Sequence, residues 1–232
     1  MPISRDFTRL VIVPGHAVYV GRHANDSLDP QHWRGTFPGY RNRDEVTLYA
    51  EHVQAGVKQT SADSSSLLLF SGGQTREAAG PISEAQGYWC LADQSGWFGE
   101  ATGKMQASTE EFARDSFENL LFGVYRFRAI TARCPQSITV CGFTFKELRY
   151  RAHAETVLKF AAALGVDRFA FEYVGVNDPP NYIMDGPKGS REGERLTVSA
   201  FSACPLGNSG DLLEKRLGRD PFFRRNPYPI CG

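Results

Sequence analysis

The sequence lacks the common nucleotide fingerprints: neither G-x-G-x-x-G after its first apolar run nor G-x-x-x-x-G-K-[ST] anywhere occurs in the 232 residues. A standard dinucleotide site or P-loop is therefore not expected. Metal-ligand spacings such as H-x-x-x-H and C-x-x-C are missing too, so no metal cofactor is expected. The five cysteines, Cys90, Cys134, Cys141, Cys204 and Cys231, are odd in number and scattered, which reads as reduced thiols of a cytoplasmic protein. Arg5, Asp6 and Arg9 precede an apolar run of only four residues at 10–13, too short for a signal-peptide core, and no later run is long enough to span a membrane. Charge of one sign is also wanting: 26 Lys and Arg balance 26 Asp and Glu. Without a basic excess, non-specific nucleic-acid binding is not expected. No internal repeat is visible, and the one low-complexity tract is SADSSS at 61–66.

What remains is an ordinary globular composition, 41% hydrophobic and 22% charged. A chain of this length should bury roughly 70–75% of its unfolded surface, enough to fold without a staple. Apolar runs at 10–13, 67–70, 138–141 and 169–174 suit strands buried on both faces, with a weaker candidate at 104–108. Helices are expected at 44–58, 83–95, 116–130 and 146–164. That alternation predicts an α/β, Rossmann-like doubly wound fold with a mainly parallel sheet of about five strands and helices on both faces. Apolar stripes at Phe117, Leu120, Leu121, Val124 and Phe127, and at Ala154, Val157, Leu158, Ala161 and Leu164, read as core-facing. The domain is placed at 1–178. Residues 179–232, rich in proline, form an irregular C-terminal extension packed on it, with short helices near 190–202 and 209–218. The connection 14–43 is too long for a normal βα loop and reads as a lid, a binding loop or a disordered segment.

In an open parallel sheet, ligands bind beyond the carboxyl ends of the strands, and the residues there are polar and glycine-rich. Gly15 and His16 follow the first run, and Ser71, Gly72, Gly73 and Arg76 the second. Gly72 and Gly73 offer either a tight turn or a cradle of amides for an anion. Further on come Glu111, then Ser116, Glu118 and Asn119 at a helix start, where Asp115 or Ser116 can serve as the cap. Glu84, one residue past a candidate Ser83 cap, has the same choice between capping and ligand contact. Lys146, Arg149, Tyr150 and His153 recur at i, i+3, i+4 and i+7, read as one face opposite the apolar stripe and either an anion site or a solvated surface. His153, two turns in, is the less suited histidine; His16 is the better one for acid–base work.

The segments LVIVPGH at 10–16, LLLFSGGQTR at 67–76, SEAQGYW at 83–89, TEEFARDSFENLLFGVYRFR at 109–128 and ITVCGFTFKELRYRAH at 138–153 resemble the YdcF-like or SanA-like family, domain of unknown function 218. LLEKRLGRDPFFRRNPYP at 212–229 resembles the extension of its eukaryotic members. The resemblance implies a Rossmann-like sheet and a polar signature at Ser71, Gly72, Gly73, Glu84, Ser116, Glu118, Asn119 and Arg149. It also implies an adenosyl-bearing ligand of the S-adenosylmethionine type. Where bacterial relatives carry a histidine three residues before that arginine, this chain has Lys146, which ordinarily stays protonated at neutral pH. The expectation is a cytoplasmic small-molecule enzyme binding an anionic or adenosyl-bearing ligand, with Glu118, Glu111 and His16 as candidate catalytic groups. A phosphoryl or pyrophosphate hydrolase and a non-catalytic metabolite-binding module are the alternatives. The expected partner is a small molecule, not nucleic acid or a membrane.

Overall fold

The computed structural model describes residues 6–36, 43–101, 103–162, 168–185 and 189–228; Cys231 and Leu164, and the side chain of Ala161, lie outside them. The chain runs through β1 (Arg9–Pro14), β2 (Val18–Tyr19), β3 (Trp33–Arg34), α1 (Arg43–Ser61), β4 (Ser66–Ser71), α2 (Glu84–Gln94) and β5 (Ala107–Glu110). It continues with α3 (Ser116–Thr131), β6 (Ser137–Phe143), α4 (Glu147–Ala162), β7 (Ala170–Asn177), α5 (Asn181–Met184), α6 (Ser190–Ala203) and α7 (Gly210–Leu217). Five strands form one sheet in the order β5-β4-β1-β6-β7, with every neighbouring pair parallel. The fold is thus α/β and Rossmann-like. From β1 the chain builds outward to β4 and β5, then returns to the other side of β1 for β6 and β7. That reversal is the topological switch point, where ligands of such sheets bind.

Alternation along the strands explains both helix layers. Leu10, Ile12, Leu67 and Leu69 point into one core with Phe117, Leu120 and Phe127 of α3 and Val157 of α4. Val11, Val13, Leu68 and Phe70 point into the other, with Val46, Tyr49 and Val53 of α1 and Tyr88 and Leu91 of α2. Each such side chain, sealed from water, contributes about 1.5–3 kcal/mol. The helix starts follow local capping: Ser83 Oγ accepts from Gln86 N in a reciprocal capping box, and Asp115 accepts from Glu118 N at 2.9 Å. Of the two candidate caps of α3, Asp115 is the one used.

Two expectations are corrected, and the alternatives left open for 14–43 are narrowed. The weak strand lies at Ala107–Glu110, not 104–108, because its register is set by pairing Leu68 with Ala107 and Ser71 with Glu110; residues 103–106 form a 3-10 turn. The connection 14–43 is ordered over its described part, where β2 and β3 pair as a small antiparallel hairpin that buries Tyr19 and Trp33; residues 37–42 lie outside the description. Gly87 makes room for it, since a Cβ there would stand 2.7 Å from Tyr19 N and 2.8 Å from Tyr19 O. Finally, Tyr150 and His153 are not opposite the apolar stripe of α4. Both are buried with Ala154 and Val157, and the His153 ring packs edge-on against Phe201 of α6 at 4.5 Å. An i, i+3, i+4, i+7 set that includes a tyrosine and a histidine can face a second helix as readily as solvent.

The C-terminal helices lie against this layer. Arg216 of α7 is buried and bonds Asp115 Oδ2 at 2.7 Å and the Leu206 carbonyl at 2.8 Å. Tyr228 stacks on Tyr125, with centroids 5.8 Å apart, and Arg224 lies 4.1 Å over the Phe112 ring. No helix among the described residues is long and apolar enough to cross a membrane.

Candidate functional site

A cavity of about 340 Å³ opens at the carboxyl end of the sheet, within the usual range of small-molecule sites. Gly15 and His16 reach it from the end of β1, Arg76 from the segment after β4, and Glu84 from α2. Arg114, Asp115, Ser116 and Asn119 come from the start of α3, and Lys146, Arg149 and Tyr150 from the turn into α4. Gly35 and Thr36 follow the hairpin, Tyr49 comes from α1, and Arg219 comes from the segment after α7.

Five of these side chains are cationic, and the two carboxylates among them are already engaged. Glu84 bonds the Thr75 hydroxyl and lies 4.0 Å from Arg76 Nε, while Asp115 holds Arg216. Behind this lining, His16 Nε2, Arg76 Nε and Arg149 Nε are buried without a hydrogen-bond partner, Arg76 Nε keeping Glu84 as its ion-pair neighbour. Arg149 is itself paired through Nη2 with Glu194 of α6 at 2.9 Å, both side chains being nearly buried.

Lys146 and His16 meet on the floor, Nζ to Nδ1 at 3.3 Å. The contact runs from Nζ to Nδ1 when Lys146 is the donor and the other way when the lysine is a free amine facing Nδ1–H, so the ring tautomer and the lysine's charge are linked. The His16 ring stacks on Phe143 at 4.9 Å, and Lys146 Nζ lies 5.1 Å from the same ring centre and 5.6 Å from that of Phe145. Burial lowers the Lys146 ammonium to about 7, reinforced by Arg149 and Arg219 and opposed by Glu194 and Glu84. Burial, with Lys146, His52 and Arg149, also holds His16 well below the usual imidazole range. The expectation that a lysine here ordinarily stays protonated is weakened by these surroundings, since burial beside Arg149 disfavours the ammonium.

The other candidate residues are distributed unevenly. Glu118 is sealed behind the cavity, bonded by Arg114 through Nη2 at 2.8 Å and Nε at 3.1 Å, with Arg216 Nε at 3.3 Å. Burial pushes its carboxyl upward, against the pull of Arg114 and Arg216. Glu111 also stands away from the cavity, accepting from the Thr109 and Ser83 hydroxyls at 2.8 and 3.2 Å. The Gly72 and Gly73 amides are spent on backbone carbonyls, those of Glu110 at 3.0 Å and Ala113 at 2.7 Å, so the tight turn is realised and the anion cradle is not. Ser71 Oγ lies 2.8 Å from both Glu110 Oε2 and Asn119 Oδ1, which ties the end of β4 to α3. Ser116 Oγ is 2.9 Å from His153 Nε2, and burial lowers that histidine to about 3, leaving it neutral. Arg114, Tyr49, Arg219 and Glu194 carried no expectation. Arg114, one residue before the helix cap, had a positional signal, whereas Arg219 and Glu194 arrive from the extension with none. Among the described residues no group of three or more His, Cys, Asp or Glu side chains is placed to hold a metal ion.

No protein-family model matches the chain. It is similar to an uncharacterized protein of Saccharomyces cerevisiae, 25% identical over 265 residues that cover 94% of this chain and 86% of that one. Among solved structures, Streptococcus suis SuiB bound to S-adenosylmethionine shows 11% identity and a TM-score of 0.24 over 75% of this chain and 48% of SuiB. A likeness of that size carries no argument about ligand or activity.

Proposed function

We propose that the cavity binds a small molecule bearing phosphate or clustered carboxylate groups, and that the Lys146–His16 pair acts on the group placed beside it. The observation that supports this is the convergence of five cationic side chains, Arg76, Arg114, Lys146, Arg149 and Arg219, on one cavity whose two carboxylates are already engaged by Thr75, Arg76 and Arg216. An excess of cationic side chains over free carboxylates calls for an anionic, acceptor-bearing ligand, and arginine's planar fork matches phosphate and carboxylate oxygens. S-adenosylmethionine fits less well, because its sulfonium would sit among like charges. Membership of the YdcF-like family is part of the proposal, supported by the clustering of Glu84, Ser116, Asn119 and Arg149 around one cavity. A phosphoryl hydrolase is the second reading, favoured by the same arginines, which could stabilise charge on a transferring phosphoryl group.

Calorimetric titration with inorganic phosphate, pyrophosphate, a nucleoside triphosphate and S-adenosylmethionine at two salt concentrations tests the binding. The phosphate-bearing ligands should bind more tightly than S-adenosylmethionine and weaken with salt. Tight, salt-insensitive binding of S-adenosylmethionine with none of pyrophosphate would overturn the reading. Release of phosphate from pyrophosphate or the nucleotide would select the hydrolase, and absence of turnover of any bound ligand would favour a metabolite-binding module.

A further inference from the structure

The cations of the cavity are not equivalent. Arg114 is held by Glu118, Arg149 by Glu194, and Arg219 donates to the Arg114 carbonyl at 2.9 Å. Lys146 has a nitrogen of His16 beside it instead, and the two carboxylates that reach it electrostatically are engaged elsewhere, Glu194 by Arg149 and Glu84 by Thr75 and Arg76. A lysine kept only to hold phosphate gains from a full positive charge. One buried beside an arginine and against an imidazole is arranged to present a free amine, even though the faces of Phe143 and Phe145 beneath it favour the ammonium.

We propose that Lys146 is a covalent site whose Nζ condenses with an anionic aldehyde or ketone, a phosphorylated or carboxylated carbonyl compound, to form a Schiff base. This rests on the anion-binding reading for the ligand's charged end, while the amine chemistry depends on the lysine's own surroundings. The Nζ lone pair forms the C–N bond as the carbonyl π pair moves to oxygen. One Nζ proton passes to His16 Nδ1, 3.3 Å away, and from there to that oxygen, giving the carbinolamine. The hydroxyl then takes a proton from solvent and leaves as water, and the nitrogen lone pair completes a protonated imine. One amine, one carbonyl and one proton become one iminium and one water, with no oxidant or reductant required. Because burial disfavours charge on both partners and Lys146 sits at about 7, His16 relays the proton without storing it. His16, after β1, touches Nζ, and the groups that act on it electrostatically are His52 of α1, Glu84 of α2, Arg149 of α4, Glu194 of α6 and Arg219 after α7.

The probe is pyridoxal 5′-phosphate, a phosphorylated aldehyde, with unphosphorylated pyridoxal beside it. Each is incubated with the full chain, reduced with borohydride and mapped by peptide mass spectrometry. Lys146 should be modified at least 10-fold faster than the exposed Lys58 and Lys159, with a half-maximal rate near pH 7, whereas surface lysines require a much higher pH. Inorganic phosphate should slow the phosphorylated probe, and Lys146→Arg and Lys146→Met should each lack the adduct. Mapping the wild-type protein decides the question even if a variant folds poorly. Labelling of Lys146 no faster than of Lys58, with phosphate binding intact by calorimetry, overturns the Schiff base and leaves the anion site standing. Selective labelling by both probes alike, unaffected by phosphate, supports the Schiff base and removes the anion site.

Discussion

Glu194→Gln should tighten anion binding. Glu194 Oε2 stands 2.9 Å from Arg149 Nη2, and the two side chains are only 10% and 12% exposed, so this carboxylate competes from behind the wall with any anion in front of it. Coulomb's law at an effective dielectric of about 20 gives about 2 kcal/mol between unit charges about 8 Å apart. Screening in an open cavity reduces that to about 1–2 kcal/mol, or roughly 5- to 30-fold in affinity. The substitution is nearly isosteric and keeps an acceptor for the guanidinium, but it leaves a nearly buried cation uncompensated, so the free protein should lose thermal stability that a bound anion restores. The assay is calorimetric titration with pyrophosphate at low and high salt, and the gain should shrink as salt rises. Glu192→Gln, on the same helix but exposed and paired with Arg195, is the control and should change nothing. Arg149→Ala should weaken binding by roughly 10- to 150-fold, the range of a charge-assisted contact worth about 1.5–3 kcal/mol. Unchanged or weaker binding by Glu194→Gln, with Glu192→Gln silent, would refute the idea that Arg149 serves the cavity.

Arg216→Met keeps the apolar stem but strips Asp115 of its 2.7 Å partner. Because Glu118 retains Arg114, the cost should be about 3 kcal/mol, the low end for a broken buried pair, seen as a thermal midpoint lower by about 6–12 °C. A shift under about 2 °C would mean the pair does not anchor α7. Gly87→Ala should drive a methyl into the Tyr19 backbone and cost about 1–3 kcal/mol, read by denaturant unfolding; an unchanged midpoint would show that the hairpin moves away freely. Glu110 is wholly buried, and burial raises its carboxyl to about 7 against bonds from the Phe112 amide and Ser71. Since the folded state holds this proton more tightly than the unfolded one, the stability it confers is complete below about pH 4.5 and falls as pH rises toward 7, by on the order of 3 kcal/mol. Unfolding measured from pH 5 to 8 should show that decline in the wild type and a flatter profile in Glu110→Gln; parallel profiles would sink the assignment.

The sheet was legible because its central strands are short, continuous apolar runs, which suit strands covered on both faces and alternate along the chain with helical stripes. The edge strand β5, reading Ala-Ser-Thr-Glu, has no such run, and its place is dictated by β4 across the ladder. Within the site, His16, Arg76, Glu84, Ser116, Asn119, Lys146 and Arg149 were reachable from the strand-end rule, and all line the cavity. Glu118 misled because a carboxylate at a helix start suggests function until Arg114 and Arg216 are seen to enclose it. The acidity of Lys146 could not be read from sequence at all. It depends on burial and on how close Arg149, Arg219 and Glu194 come in space, and two of those lie more than forty residues further along the chain.

The extension's contribution of Arg219 to the cavity wall and of Glu194 to its rear charge makes occupancy and tail docking a single thermodynamic cycle. Whatever the site gains in affinity from a docked tail, the tail gains in docking strength from an occupied site. A filled cavity should therefore slow amide exchange in α6 and α7, some of it far from any atom of the ligand. Cleavage after β7 would cut that link, leaving an α/β layer whose site is open on the side the extension now walls.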